Sequence, residues 1–167
     1  MRNVQLVTLY PAVDAALGDD AEYQEAAGRG DWPRVAGVVH RVVGRTLATV
    51  PVSVDELQWG GYYAVDEATR EVVGSCAFKS PPTAEGAVEI AYFTYPDFEG
   101  RGYATGMARK LIALARGSPA VRRVIAHTLP EANASTRVLS KAGMTFMGEV
   151  LDSEDGRVWR WEVQIGA

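Results

Sequence analysis

The sequence feature that most constrains the fold is a change of pattern near the middle of the chain. An apolar run at 88–95 is typical of a strand, and a glycine-bearing loop at 98–103 follows it. Helical spacing then sets in at Ala104, Met107, Ala108, Leu111, Ile112 and Ala115, with Gly117 after them. The pattern predicts a strand, a tight loop and an amphipathic helix in direct succession. The start of such a helix offers unpaired backbone N–H groups to an anion.

Short strands are predicted on both sides of this unit. The expected strands lie at 4–9, 60–66, 71–79, 88–95, 121–129, 146–151 and 158–165, and the expected helices at 19–27, 33–47, 104–116 and 133–142. Gly28 is predicted to stop the first helix, and Asp31 to cap the second. Trp159, Trp161 and Val163 share one face of the last strand, which is therefore expected to be buried. Hairpins mixed with one strand–helix–strand crossover predict an α+β fold on a mostly antiparallel sheet.

Composition excludes several classes of protein. The chain has 167 residues, of which 47% are hydrophobic and 23% charged, which suits a single domain over residues 1–167 and disfavours disorder. The sequence shows neither a membrane-spanning run nor a signal peptide, so a cytoplasmic protein is expected. A net charge of −4 argues against nucleic acid as the main partner. One cysteine and two histidines predict no metal site.

The glycine loop has three interpretations. Gly100 and Gly102 let a diphosphate approach the backbone at a helix N-terminus, and Arg101 adds a positive charge. The same glycines also fit an ordinary tight turn. With Gly106 they also resemble a variant dinucleotide fingerprint, in which arginines at 122–123 bind the 2′-phosphate of NADP. This last alternative is disfavoured, because a doubly wound parallel sheet needs more strand–helix units than the sequence contains.

Three segments together resemble the GNAT family of N-acetyltransferases. Residues 99–105 are similar to the family's acetyl-CoA diphosphate loop, Q/R-x-x-G-x-G/A, with Gly102 and Ala104 at its last two positions and Glu99 in place of the usual Gln or Arg. Residues 88–96 are similar to the family's fourth strand. Residues 130–144 resemble a later helix of the RimJ/RimL-like branch, which includes ribosomal-protein-alanine acetyltransferases.

The resemblance covers residues 60–165 and implies a GNAT (acyl-CoA N-acyltransferase) fold. This fold has a mixed, mostly antiparallel sheet flanked by helices. The implied activity is transfer of an acetyl group from acetyl-CoA, the cosubstrate, to the primary amine of a small molecule or of a peptide or protein N-terminus by direct attack. The alternatives are a catalytically weak acetyl-CoA-binding module and, less favoured, an NADP-binding protein.

The resemblance also implies a set of residues that bind acetyl-CoA. Loop amides would bind the diphosphate, and the backbone at 92–94 would bind pantetheine and polarise the thioester carbonyl. The complete set is Tyr92, Phe93, Thr94, Glu99, Gly100, Arg101, Gly102, Tyr103, Ala104, Thr105 and Asn133. Asn133 has two interpretations, a ligand of the pantetheine arm or a helix N-cap.

The predicted catalytic residue is Glu89. Acetyl transfer needs a neutral amine, hence a base, and Glu89 shares a strand face with Ala91, Phe93 and Tyr95, so apolar company is expected to make its carboxylate more basic. The resemblance to histone-type members implies the same role. The alternative is a structural carboxylate paired with a hydroxyl or an arginine.

The general acid is not identified. Many family members carry a tyrosine where this chain has Leu139, so Tyr92, Tyr95, Ser140 and water remain candidates.

The amine acceptor is not identified either. Trp32, Trp59, Tyr62 and Tyr63 either line its pocket or belong to the core. Acceptor choice is predicted to lie in residues 19–63 and the final hairpin. The oligomeric state is open, with a homodimer as one alternative.

Overall fold

The computed structural model describes residues 2–8, 11–47 and 58–166. The strands are β1 Val4–Thr8, β2 Gly61–Asp66, β3 Val72–Phe78, β4 Ala87–Thr94, β5 Arg123–Thr128, β6 Thr145–Asp152 and β7 Gly156–Gln164. The helices are α1 Pro11–Gly18, α2 Ala21–Arg29, α3 Trp32–Leu47, α4 Tyr103–Arg116 and α5 Ala134–Lys141, with a 3-10 turn at Pro96–Phe98. Leu9, the predicted end of the first strand, and the Trp32 side chain lie outside the described residues.

The strands form one mixed sheet in the order β1-β2-β3-β4-β5-β7-β6. Every described pair of neighbours is antiparallel except β4 and β5, which are parallel. This topology confirms the predicted α+β class with a mostly antiparallel sheet. It is not the doubly wound parallel sheet that the dinucleotide alternative requires.

The parallel pair is short, and this shortness creates a gap in the sheet. Pairing between β4 and β5 runs only from Ala87↔Arg123 to Glu89↔Ile125. Beyond that point β4 continues beside β3 as far as Thr94, while β5 continues beside β7 as far as Thr128. The two strands therefore separate immediately after Glu89.

Helices cover the central part of the sheet. Residues 62–66 of β2 are all buried, which requires cover on both faces, because successive side chains point to opposite sides of a strand. Helix α4 buries Met107 and Leu111 completely in the core that it forms with β1, β3 and β4. A Cβ on Gly106 would lie 2.8 Å from the Arg2 carbonyl oxygen, so this glycine allows α4 to pack closely against the N-terminal strand.

Three sequence-based expectations about these elements were wrong. Helix α1 was not predicted, although Pro11 stands at its first position, where a proline is favourable. Helix α2 passes through Gly28 and ends at Gly30, whose φ of 68° suits glycine and whose N–H bonds to two carbonyls of the last turn. On β7 Trp161 is buried, but Trp159 is only half-buried, although both rings pack against the exposed Phe146 of the edge strand β6.

Candidate active site

A cleft of about 440 Å³ opens between the second half of β4, the glycine loop, the start of α4 and the start of α5. All the predicted cofactor-binding residues line this cleft, except Arg101 and Asn133. The cleft lies where β4 has separated from β5, so β4 faces it without a neighbouring strand on that side. Most of the residues that the family resemblance implied for acetyl-CoA binding therefore lie together at this cleft.

The loop geometry at this cleft is that of an anion-binding helix start. Gly100 and Gly102 have φ of 71° and 89°, a left-handed conformation that glycine adopts without strain. Gly102 is the N-cap of α4, and no side chain of the described residues caps the helix there. The first amides of this 14-residue helix therefore lack a side-chain acceptor, and the partial positive charge of the helix start lies at the cleft.

The buried side chain of Tyr103 holds the glycine loop through a hydrogen bond to Asp66 on β2. Its side chain is 3% exposed, and its hydroxyl donates to Asp66 Oδ2 at 2.6 Å. Asp66 also accepts from the backbone N–H groups of Ala68 and Thr69, both at 2.8 Å. The Tyr103 bond, followed by these backbone donors, lowers the pKa of Asp66. Burial, followed by the bond to Asp66, raises the pKa of Tyr103. Tyr103 therefore reaches the cleft chiefly through its main chain.

The cations at the cleft come from α5 rather than from the loop. The Arg101 guanidinium lies over the Phe98 ring, 5.6 Å from its centroid, and lines a different cavity beside α3. Arg137 and Lys141 line the cleft instead. They were not predicted as binding residues, although their i, i+4 spacing on a predicted helix places them on one face.

Asn133 acts as the N-cap of α5. Its Oδ1 accepts from the Thr136 N–H at 3.1 Å, while its own N–H donates to Thr136 Oγ1 at 3.1 Å. The side-chain oxygen is therefore used within the helix start. Its neighbours Ala134 and Ser135 line the cleft in its place.

Thr94 presents a buried hydroxyl at the cleft. Among the described residues its Oγ1 has no hydrogen-bond partner, although it is shielded from solvent. Leaving a buried hydroxyl unpaired costs free energy, so this hydroxyl, in a residue that lines the cleft, is a candidate partner for a ligand or an ordered water.

A second cavity, of about 340 Å³, lies across the same gap in the sheet. It shares Tyr92 and Ser135 with the cleft. The Tyr92 hydroxyl donates to the Ser135 carbonyl oxygen at 3.4 Å and so connects β4 with α5. Burial raises the pKa of Tyr92 to about 12, which keeps this hydroxyl protonated at neutral pH.

Glu89 lies in this second cavity with two polar partners. Its Oε1 is 2.6 Å from Lys79 Nζ and 2.9 Å from His127 Nδ1. The bond to Glu89 is the largest cause of the raised pKa of Lys79. The expected apolar environment of Glu89 was therefore wrong, because the neighbouring strands contribute a charged and a polar side chain that the pattern of β4 alone does not reveal.

Lys79 and His127 both follow from the sheet register. Lys79 continues β3 beyond the pair Phe78↔Ile90, and its N–H donates to the Glu89 carbonyl oxygen at 2.9 Å. His127 lies two residues after the partner of Glu89 in the parallel pair, hence on the same face. His127 was not predicted as a site residue, and the parallel register is the signal that identifies it.

The aromatic residues considered for the acceptor pocket do not line the second cavity where they are described. Tyr62 and Tyr63 are each 6% exposed in the core, and Trp59 packs edge-on against Phe78. The final hairpin does contribute, through Asp155 and Val158.

Among the protein groups considered as general acid, Tyr92 lies at the gap. Tyr95 is buried in the core, and Ser140 lines another cavity.

The model of one protein family, described as an acetyltransferase (GNAT) domain, matches residues 10–145. The chain therefore belongs to the GNAT family, which confirms the fold and the enzyme class, an acetyl-CoA-dependent N-acetyltransferase. No curated protein matches the sequence.

Solved structures with the same fold have low sequence identity. RimL, a ribosomal L7/L12 α-N-protein acetyltransferase solved with coenzyme A, shares 16% identity over 98% of this chain and 94% of its own, with a TM-score of 0.64. The microcin C7 self-immunity acetyltransferase MccE, solved with acetyl-CoA and AMP, shares 17% sequence identity over 98% of this chain and 93% of its own, with a TM-score of 0.64. A GNAT acetyltransferase from Bacillus anthracis shares 20% sequence identity over 66% of this chain and 70% of its own, with a TM-score of 0.55.

Proposed function

We propose that this protein binds acetyl-CoA in the cleft and acetylates a primary amine that enters through the second cavity. The observation that carries the proposal is the shared wall formed by Tyr92 and Ser135. Two cavities that meet at one point of a divided sheet allow two substrates to approach each other from opposite sides. Direct attack needs this arrangement, because the nucleophile and the acyl carbon must come within about 3–3.5 Å.

The residues of the cleft suit acetyl-CoA. The uncapped start of α4 and the left-handed glycines accommodate a diphosphate, and Arg137 and Lys141 add positive charge for phosphates. The unpaired Thr94 hydroxyl and the exposed edge of β4 offer hydrogen bonds to the amides of a pantetheine arm. Once bound there, acetyl-CoA supplies an activated thioester carbonyl.

The second cavity suits the deprotonation of an amine. Glu89 and Asp155 contribute negative charge and Lys79 balances part of it, so a cationic amine can approach the site. The Glu89–His127 pair accepts the proton that the amine must lose. Tyr92 lies at the junction, where its hydroxyl can protonate the leaving sulfur atom. The catalytic assignment of Glu89 is thus proposed as part of a pair.

The proposed acceptor is the primary amine of a small molecule or of a peptide or protein N-terminus. Membership of the RimJ/RimL-like branch is also proposed. It is supported by the segment at 130–144 and by RimL among the structural neighbours. No described helix is long and apolar enough to cross a membrane. The cytoplasmic location, the single domain and a homodimer stay predictions.

Release of the CoA thiol tests this function. The protein is incubated with acetyl-CoA and a panel of amines (N-terminal peptides, amino acids and polyamines), and the free thiol is measured. Amine-dependent release above the hydrolysis background supports the proposal. Tight binding of acetyl-CoA without release to any amine would instead support the weak binding module, and a melting-point shift with NADPH alone would contradict the assigned ligand.

A further inference from the structure

We infer that His127 is the catalytic base and that Glu89 is a positioning residue that acts through it. The inference rests on the proposed function and divides the Glu89–His127 pair into two roles. Both side chains line the second cavity, with exposed fractions of 14% for His127 and 24% for Glu89.

The hydrogen bond between the two residues fixes the tautomer of the histidine. A carboxylate can only accept, so the 2.9 Å contact requires the proton to sit on Nδ1 of His127. In the neutral ring this leaves Nε2 with a free lone pair. The neutral ring of His127 therefore carries its acceptor nitrogen at Nε2, the atom that can take a proton from the amine.

Glu89 is less suited to be the base itself. Its Oε1 accepts both from Lys79 Nζ and from His127 Nδ1, and protonation at either carboxylate oxygen would remove the negative charge of an ion pair of 2.6 Å. The raised pKa of Lys79, caused first by Glu89, keeps this ammonium group charged across the pH range of an assay. The carboxylate is therefore held as an acceptor of hydrogen bonds.

Other charged groups face His127 from every element around it. Lys79 follows β3, Glu89 belongs to β4, and Asp152 and Asp155 belong to the β6–β7 hairpin. On β7 the register places Arg160 opposite His127, where its Nε donates to Glu162 Oε1 at 2.7 Å.

A cationic amine first loses one proton to His127 Nε2, which passes it to solvent. The neutral nitrogen then forms a bond to the acetyl carbon, the carbon–sulfur bond breaks, and its electron pair stays on the sulfur. The nitrogen loses its second proton to His127 Nε2, and the sulfur takes up one proton from Tyr92 or water.

Two matched substitutions separate the roles. His127→Asn retains an N–H that can bond to Glu89 but lacks the basic nitrogen, whereas Glu89→Gln retains an oxygen that can accept from Nδ1. Turnover of His127→Asn should fall by about 10²- to 10⁴-fold, and the acidic limb of its kcat/KM–pH profile should disappear. Glu89→Gln should lose less activity and keep the limb. Glu67→Gln, which removes a charge at a half-exposed pair 3.8 Å from Lys110, serves as the control.

Three checks complete the experiment. An unchanged melting-point shift with acetyl-CoA shows that each variant folds, and added imidazole should restore part of the turnover of His127→Ala. An acidic limb that persists in His127→Asn but disappears in Glu89→Gln would overturn the proposal and make Glu89 the base.

If the wild-type protein releases no thiol with any amine, the proposed function fails separately. NMR of ¹⁵N-labelled histidine then still decides, because Nε2–H in the neutral ring would refute the inferred tautomer and Nδ1–H would support it.

Discussion

The hydrogen bond between Tyr103 and Asp66 offers the sharpest test of how the loop is held. Tyr103→Phe removes the hydroxyl but keeps the ring that packs beside Phe98. Asp66 is 2% exposed and would keep its two backbone donors. A buried hydrogen bond to a charged group contributes about 1.5–3 kcal/mol, which for a chain of this length corresponds to a fall of about 3–12 °C in Tm.

The pH dependence of this loss follows from the two pKa shifts. The depressed pKa of Asp66 stabilises the fold above its unfolded value of about 4, and this contribution disappears as pH falls through the folded pKa. The raised pKa of Tyr103 stabilises the fold below its unfolded value of about 10, and this contribution disappears as pH rises through the folded pKa. The difference between wild type and Tyr103→Phe should therefore be greatest between these limits.

Urea unfolding from pH 3 to pH 11 measures this difference, with Asp66→Asn and the double mutant completing a thermodynamic cycle. A loss below about 0.5 kcal/mol at pH 7, the range of ordinary surface substitutions, would refute the reasoning. So would strictly additive effects of the two substitutions, because contacting partners must show a coupling energy.

Three further predictions concern single positions. Thr94→Val should leave the free protein as stable as before or more so, because an unpaired buried hydroxyl is removed, yet weaken acetyl-CoA binding in a calorimetric titration; equal affinity would contradict the role of this hydroxyl. Gly106→Ala should lower the free energy of unfolding by about 1–3 kcal/mol, because its Cβ meets the Arg2 carbonyl oxygen, and unchanged stability would disprove the close packing. The Cys76 thiol, whose pKa burial raises to about 12, should resist alkylation at pH 8 until the protein unfolds; rapid native labelling would contradict its burial.

Most of the fold could be predicted because its local signals agree with one another. The strand at 88–95, the glycine loop and helix α4 each carry a distinct pattern, and the structure places them within one or two residues of the predicted bounds. Helix α1 escaped prediction because no element was assigned between the strand at 4–9 and the helix at 19–27. Pro11, which lies in this interval, fits the first turn of a helix.

The site was only partly predictable, for a physical reason. Loop residues at the cleft follow one another in sequence, so their motif identifies them. The partners of Glu89 come from two other strands, 38 residues away in the case of His127, and depend on the register of both pairings. A strand pattern shows which face a side chain occupies but not which side chains lie beside it. The apolar environment expected for Glu89 was inferred from the residues of β4 alone, and the prediction was wrong for that reason.

The gap between β4 and β5 is better explained by ligand binding than by poor packing. Beyond Glu89, the edge of β4 that faces away from β3 loses its neighbouring strand, and buried backbone groups need partners. An open strand edge can also pair with another chain and cause aggregation, so proteins normally cover such an edge. Here the hydrogen bond from Tyr92 to Ser135 connects β4 with α5 across the gap, and the cleft and the second cavity lie on the two sides of this bond. A linear ligand with its own amides can pair with such an edge as a strand would. We therefore expect hydrogen–deuterium exchange at 90–94 to slow when acetyl-CoA binds and to remain unchanged with an amine alone.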